Sequence, residues 1–91
     1  MNKKRNKLEI IHDILENIRA KNGKIKPTHI LYKSNLSYQM MEEYLKELIE
    51  KNFIVEIINK SGKTYSITNK GNQYLEKYRT IVDFAQSFGL G

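Results

Sequence analysis

The 91-residue sequence contains no cysteine, no tryptophan and only one proline. Without cysteine the chain can form no disulfide framework, no zinc ribbon and no thiol nucleophile. No stretch approaches the roughly 20 apolar residues that a membrane helix requires, and no apolar run follows the basic residues 1–7, so we expect neither a membrane span nor a secretory signal. A chain without cysteine suits a reducing compartment, and we expect a cytoplasmic protein.

Motifs for catalysis and metal binding are also missing. His12 and His29 have no second histidine or cysteine at ligand spacing, and both are expected to be ordinary surface residues. The adjacent Glu42 and Glu43 would point about 100° apart on a helix, so they cannot form a catalytic carboxylate pair. The sequence has no glycine-rich phosphate loop and no nucleophile motif. We therefore expect a protein that is not an enzyme, with no metal and no cofactor.

Positive charge is what the sequence has in excess. Lysine and arginine number 16 against 10 acidic residues, which gives a net charge of +6. The positive residues cluster in segments 1–7, 21–33 and 59–70, and the segments between them are acidic. This balance favours a polyanionic partner, although it says nothing about fold. The basic N-terminal tail, residues 1–7, could be a flexible arm on DNA or an end without function.

Hydrophobic periodicity predicts four helices. The first, over residues 6–21, has one face formed by Leu8, Ile11, Leu15 and Ile18, and Asn22-Gly23 ends it. A short second helix begins at the proline, a third is capped by a serine hydroxyl, and the last is capped by Thr68 or Asn69. The expected ranges of these three helices are 27–33, 38–51 and 69–87.

β-Branched residues predict a hairpin between the third and fourth helices. Residues 53–58 and 64–68 have strand composition, and residues 59–63 carry turn chemistry with lysine at the tip. A further short segment, residues 24–26, could add one edge strand. The order helix, short strand, helix, helix, hairpin, helix is that of an α+β winged helix-turn-helix, in which a helix enters the major groove and the hairpin reaches a neighbouring groove or the backbone. We expect residues 1–91 to form one such domain.

The candidate DNA contacts come from the second helix, the start of the third helix and the wing. Glutamine can bond adenine, a tyrosine hydroxyl often meets phosphate, and lysines neutralise phosphates. The predicted set is Lys26, Lys33, Ser37, Tyr38, Gln39, Lys46, Lys60 and Lys63. The third helix is also acidic, since it carries Glu42, Glu43, Glu47 and Glu50. We therefore expect it to dock by its N-terminal end, with most of these glutamates turned away from DNA.

The last helix carries an amphipathic stripe longer than its own domain can cover. The stripe and the residues that widen it give the predicted dimer interface: Tyr74, Tyr78, Ile81, Val82, Ala85 and Phe88. A partner helix would remove this apolar surface from water. We therefore expect residues 69–88 to be a dimerisation helix, the alternative being a helix that folds back on its own domain.

The sequence resembles the small archaeal winged-helix proteins described as transcriptional regulators or chromatin-associated DNA-binding proteins. The resemblance covers about residues 8–82 and is most specific in Leu36-Ser37-Tyr38 and in the later Tyr65-x-Ile-Thr-x-Lys-Gly71. It implies a DNA-binding winged helix that forms a homodimer through its last helix, often as an antiparallel coiled coil.

Two functions remain open from the sequence. The first is a homodimeric protein on double-stranded DNA, acting as a transcription regulator or a small chromatin-associated protein. The second is a winged-helix protein–protein interaction module without direct DNA contact, which the acidic third helix favours.

Overall fold

The computed structural model describes residues 5–90, which form four helices and one hairpin. The elements in chain order are α1 (Lys7–Ala20), α2 (Pro27–Ser34), α3 (Tyr38–Glu50), β1 (Ile54–Asn59), β2 (Gly62–Ile67) and α4 (Asn69–Ser87). The four predicted helices and the hairpin are confirmed. Among the described residues, no helix is both long and apolar enough to cross a membrane.

The helices begin and end where local side-chain chemistry satisfies their free backbone groups. Asn6 and Glu9 form a reciprocal capping box at the start of α1. Ser37 accepts a hydrogen bond from the Met40 amide at the start of α3, as predicted. Asn35 and Asn52, which follow α2 and α3, have positive φ angles of 53° and 65°. Asparagine tolerates this left-handed conformation, so each residue ends its helix.

The core lies between α1, the helix-turn-helix and the base of the hairpin. Its most deeply buried members are aliphatic, namely Ile14, Leu15, Ile18, Ile25, Ile30, Met41, Leu48 and Ile54. Burying each such side chain contributes about 1.5–3 kcal/mol. Leu8 belongs to the predicted apolar face of α1 but not to this core. Leu8 is 56% exposed, because Ile10 takes the inward position in the first turn and Leu8 faces the flank of α4.

The hairpin pairs β1 with β2 in antiparallel register from Ile54↔Ile67 to Asn59↔Gly62. Its turn is tighter than predicted, since only Lys60 and Ser61 separate the strands. The predicted edge strand over residues 24–26 is reduced to a single bridge between Ile25 and Tyr65. The segment is too short for a ladder because α2 begins at Pro27.

Thr68 and Gly71 fix the start of α4 against the hairpin. The Thr68 side chain caps α4 through the Gly71 amide, and its hydroxyl also lies 2.9 Å from the carbonyl oxygen of Phe53. A Cβ atom on Gly71 would lie 2.5 Å from that oxygen and from Ile67 Cγ1. Only glycine allows this approach. The Thr-x-Lys-Gly part of the resemblance is therefore a packing requirement.

Candidate nucleic-acid interface

The first turn of α3 is free at the surface. Tyr38 is 68% exposed and Gln39 is also exposed, and no acidic residue lies in this turn. The positive end of the helix dipole is therefore uncompensated there, which favours an anion. Gln39 Nε2 makes only a long contact of 3.4 Å with Glu43 Oε2, so its amide can turn toward a ligand.

The wing presents its two predicted lysines on a rigid turn. Asn59 Oδ1 accepts hydrogen bonds from the amide and the hydroxyl of Ser61, and Gly62 has a φ of 118°. Asparagine at the first position and glycine at the fourth are typical of a type I turn. Lys60 is exposed at the tip. Lys63 Nζ lies 3.7 Å from Glu56 Oε2, and an exposed pair of this kind is weak enough to exchange for a phosphate.

Tyr65 and Glu56 face each other across the two strands of the hairpin. Its hydroxyl donates to Glu56 Oε2 at 3.3 Å, the same oxygen that faces Lys63. Burial, with a further contribution from Glu56, raises the pKa of Tyr65 to about 12; Glu42 and Tyr38 contribute in the same direction. Glu56 also lines the groove between α3 and β1, together with Glu42 and Lys46 of α3. Helix α3 and the first strand of the wing therefore share one side of the domain.

The lysines of the second helix lie on a neighbouring surface. Lys26 precedes α2 and Lys33 lies in its last turn, and both are exposed. The structure adds Lys21 and His29, which line a shallow cavity with Lys33 between α1 and α2. Neither residue is among the predicted DNA contacts, although Lys21 lies in the second basic segment. Their proximity depends on how α1 crosses α2.

The glutamates of α3 lie on different sides of the helix. The Glu47 carboxylate bonds Lys7 of α1 at 3.0 Å and Lys51, which follows α3, at 2.8 Å. These hydrogen bonds, that of Lys51 first, lower the pKa of Glu47. The other three line a groove between α3 and β1 together with Glu56 and Lys46: Glu42, Glu43 and Glu50. The buried stripe of α3 leaves these three residues its outer face. That most glutamates of α3 turn away from DNA stays a prediction.

The predicted dimer residues divide into two groups. Tyr74 and Tyr78 are half-buried against their own domain, since Tyr74 donates to the Leu8 carbonyl and Tyr78 stacks on His12 at 4.3 Å. His12 is thus a packing residue, which corrects the prediction of an ordinary surface histidine. Val82 and Ala85 are also half-buried.

Ile81 and Phe88 are 65% and 67% exposed. Phe84, which the predicted stripe omitted, is 65% exposed. Its ring packs edge-on against that of Phe88, with 5.0 Å between the ring centroids. Its spacing of three residues from Ile81 and four from Phe88 was the available signal.

Comparison with known proteins identifies the family. Residues 4–86 match the winged helix-turn-helix family, and the chain belongs to it. An uncharacterized protein of Methanocaldococcus jannaschii is 35% identical over 78 residues. That match takes in 86% of this chain but 34% of the archaeal protein, so the chain spans about one third of that relative's length.

Solved structures share the fold. Sso10a-2, a DNA-binding protein from Sulfolobus solfataricus, superimposes with a TM-score of 0.78 at 24% identity, over 92% of this chain and 85% of that one. A MepR mutant of S. aureus bound to an oligodeoxyribonucleotide gives 0.74 at 16% identity, over 87% and 60% of the two chains. At this identity the likeness shows the fold, and the expected winged-helix class is confirmed.

Proposed function

We propose that the chain binds double-stranded DNA as a homodimer, acting as a transcription regulator or a small chromatin-associated protein of the cytoplasmic nucleoid. The observation that carries this proposal is the shared surface of the α3 start and the wing. Tyr38, Gln39, Lys60 and Lys63 are all exposed, and α3 packs against β1, the first strand of the wing. The fold is also that of the DNA-binding protein Sso10a-2 and of a MepR mutant bound to an oligodeoxyribonucleotide.

The acidic outer face of α3 limits how the helix can meet the duplex. Carboxylates brought near phosphates repel, so Glu43 and Glu50 oppose burial of the whole helix in the major groove. The N-terminal turn carries no such charge. We infer that Ser37, Tyr38 and Gln39 approach base edges or sugar–phosphate while the later turns tilt outward, with Lys46 reaching the backbone. Lys26 and Lys33 then bind the adjacent phosphates.

The exposed end of α4 supports the homodimer. Ile81, Phe84 and Phe88 form an exposed apolar surface on α4. Beside it lie further apolar side chains, among them Leu8 and Phe53. Such a surface costs free energy in water, at about 25 cal/mol per Å2 of apolar area. A second copy of the helix would cover it. A two-fold dimer would carry two wings and would favour spaced or palindromic half-sites.

A second candidate function is a protein–protein interaction module. The groove between α3 and β1 favours it, because four carboxylates and the apolar Leu45 and Ile49 line that groove. Such a surface would repel DNA and attract a basic partner.

DNA binding can be tested by fluorescence anisotropy with a mixed-sequence duplex, titrated with salt. The wild type should bind at low salt and lose affinity steeply as salt rises, since counterion release drives binding. Lys60→Glu should weaken binding by about tenfold and reduce the slope of log affinity against log salt by about 0.9. Arg79→Glu is the matched control, because it makes the same charge change on α4.

Two results would count against the proposal. Undetectable binding of the wild type at low salt would reject it outright. Unchanged DNA affinity in the double variant Lys60→Glu, Lys63→Glu would favour the interaction module, or docking through a different surface.

A further inference from the structure

Arg5 occupies an unexpected place for a residue of the basic N-terminal segment. Lys3 and Lys4 of that segment lie outside the described residues, but the Arg5 side chain is fixed between α1 and the helix-turn-helix. Its Nη2 donates to the carbonyl oxygens of Ser34 and Asn35 at 2.6 and 3.2 Å, and its Nη1 bonds Asp13 Oδ2 at 2.5 Å. Only 27% of its side chain is exposed.

These two carbonyls belong to the turn between α2 and α3. The last carbonyls of a helix have no partner within that helix, and a cation near them also favours the helix dipole. Arginine suits the position because its planar fork donates in several directions at once. Asp13 lies in the second turn of α1. Its carboxylate pairs with the guanidinium of Arg5 and neutralises that charge.

A second contact from α1 reinforces the same turn. Asn17 Nδ2 donates to Ser34 Oγ at 3.1 Å, and Ser34 is 1% exposed. Next in the chain, the Leu36 amide bonds the Leu31 carbonyl at 3.2 Å, and the Leu36 side chain is buried. Polar groups of α1 and of the segment before it thus hold the short link whose geometry sets the direction of α3 relative to α2.

We propose that Arg5 is a positioning residue for DNA binding: it fixes the α2–α3 turn from the segment just before α1 and makes no phosphate contact of its own. The expected effect on DNA affinity rests on the proposed DNA-binding function. The hydrogen bonds from Arg5 to the α2–α3 turn, the Arg5 clamp, are a property of the free protein. A lysine could satisfy only part of the arrangement, because its single ammonium cannot reach two carbonyls and a carboxylate with the same fork geometry.

The first experiment uses the free, full-length protein and needs no DNA. Amide hydrogen exchange at Asn35 and Leu36 should be on the order of tenfold faster in Arg5→Gln than in the wild type, because the turn opens more often once its charged donor is lost. Arg5→Lys should lie between the two. Exchange in the last turn of α4, remote from the clamp, should not change. Unaltered exchange at Asn35 and Leu36 would overturn the proposal, whatever the protein does with DNA.

The second experiment compares Arg5→Gln with Lys33→Gln, an equal charge change at an exposed lysine. In a salt titration of duplex binding, Arg5→Gln should lower affinity about tenfold while the salt slope stays unchanged. Lys33→Gln should reduce the slope by about 0.9, as the loss of one phosphate contact does. A slope reduced by that amount in Arg5→Gln would show that Arg5 meets phosphate, and would reject the positioning role. Absence of wild-type binding would reject the proposed function, while the exchange result would still decide the clamp.

Discussion

The two halves of α4 have the same amphipathic pattern but different surroundings. In the first half, Gly71 and Leu75 are buried, and Tyr78 stacks on His12 of α1. In the second half, Ile81, Phe84 and Phe88 are about two-thirds exposed. The domain covers α4 only where α1 and the hairpin lie beside it. An amphipathic pattern therefore shows that a helix has an apolar face, but it does not show whether that face meets its own domain or another molecule.

The largest expected effect is at the packed start of α4. Gly71→Ala would place a methyl group 2.5 Å from the backbone oxygen of Phe53, and we expect it to lower the free energy of unfolding by about 3 kcal/mol. Chemical denaturation measures this loss. Asn72→Ala, the next residue and an exposed one, should change stability by less than about 0.7 kcal/mol. Equal effects of the two substitutions would mean that the close approach does not exist.

A substitution in the exposed half of α4 should change the oligomeric state of the protein but not the stability of its fold. We expect the wild type to sediment as a dimer and Ile81→Glu as a monomer, because a carboxylate would be buried in the paired interface. At concentrations where both are monomeric, their unfolding free energies should agree within about 0.5 kcal/mol. Gln86→Glu, an equal charge change on the polar side, should remain dimeric. A monomeric wild type would refute the proposed interface.

Alkaline titration separates the packed tyrosines from the others. Burial raises the pKa of Tyr74 and Tyr78 above 10.0, and that of Tyr65 to about 12. The pKa of each of these tyrosines is higher in the folded protein than in the unfolded chain, so its neutral form stabilises the fold. This contribution is fully present below pH 10 and is lost as pH rises through the pKa of the folded state.

For Tyr65 the loss is on the order of 2 kcal/mol. Ultraviolet absorbance should show late-ionising tyrosines, and Tyr78→Phe should remove one of them. Simultaneous ionisation of all six tyrosines at the ordinary value in the folded protein would contradict the packing.

The smallest expected effect is at the junction of α1 and α4. His12→Ala removes the stacked ring beside Tyr78, and we expect a loss of about 1 kcal/mol. His29→Ala, at an exposed position, should leave the midpoint of thermal unfolding unchanged. If the two histidine variants are equally stable, the stacked contact contributes nothing.

Local signals in the sequence were sufficient to predict the helices, the hairpin and most caps. Ser37, Asn52 and Thr68 act through neighbouring backbone groups, so their roles follow from residue type and position. The exposure of the predicted DNA-contact residues also follows from periodicity. Their role on DNA remains a prediction.

The sequence by itself determined the winged-helix order of elements, because hydrophobic period, capping and turn chemistry act over a few residues. Only the tertiary structure decided which faces are covered and which charges are free. Arg5 bonds carbonyls about 30 positions away, three of the α3 glutamates lie beside β1, and α1 covers the first half of α4. Each of these depends on how distant elements cross, which a one-dimensional pattern does not contain.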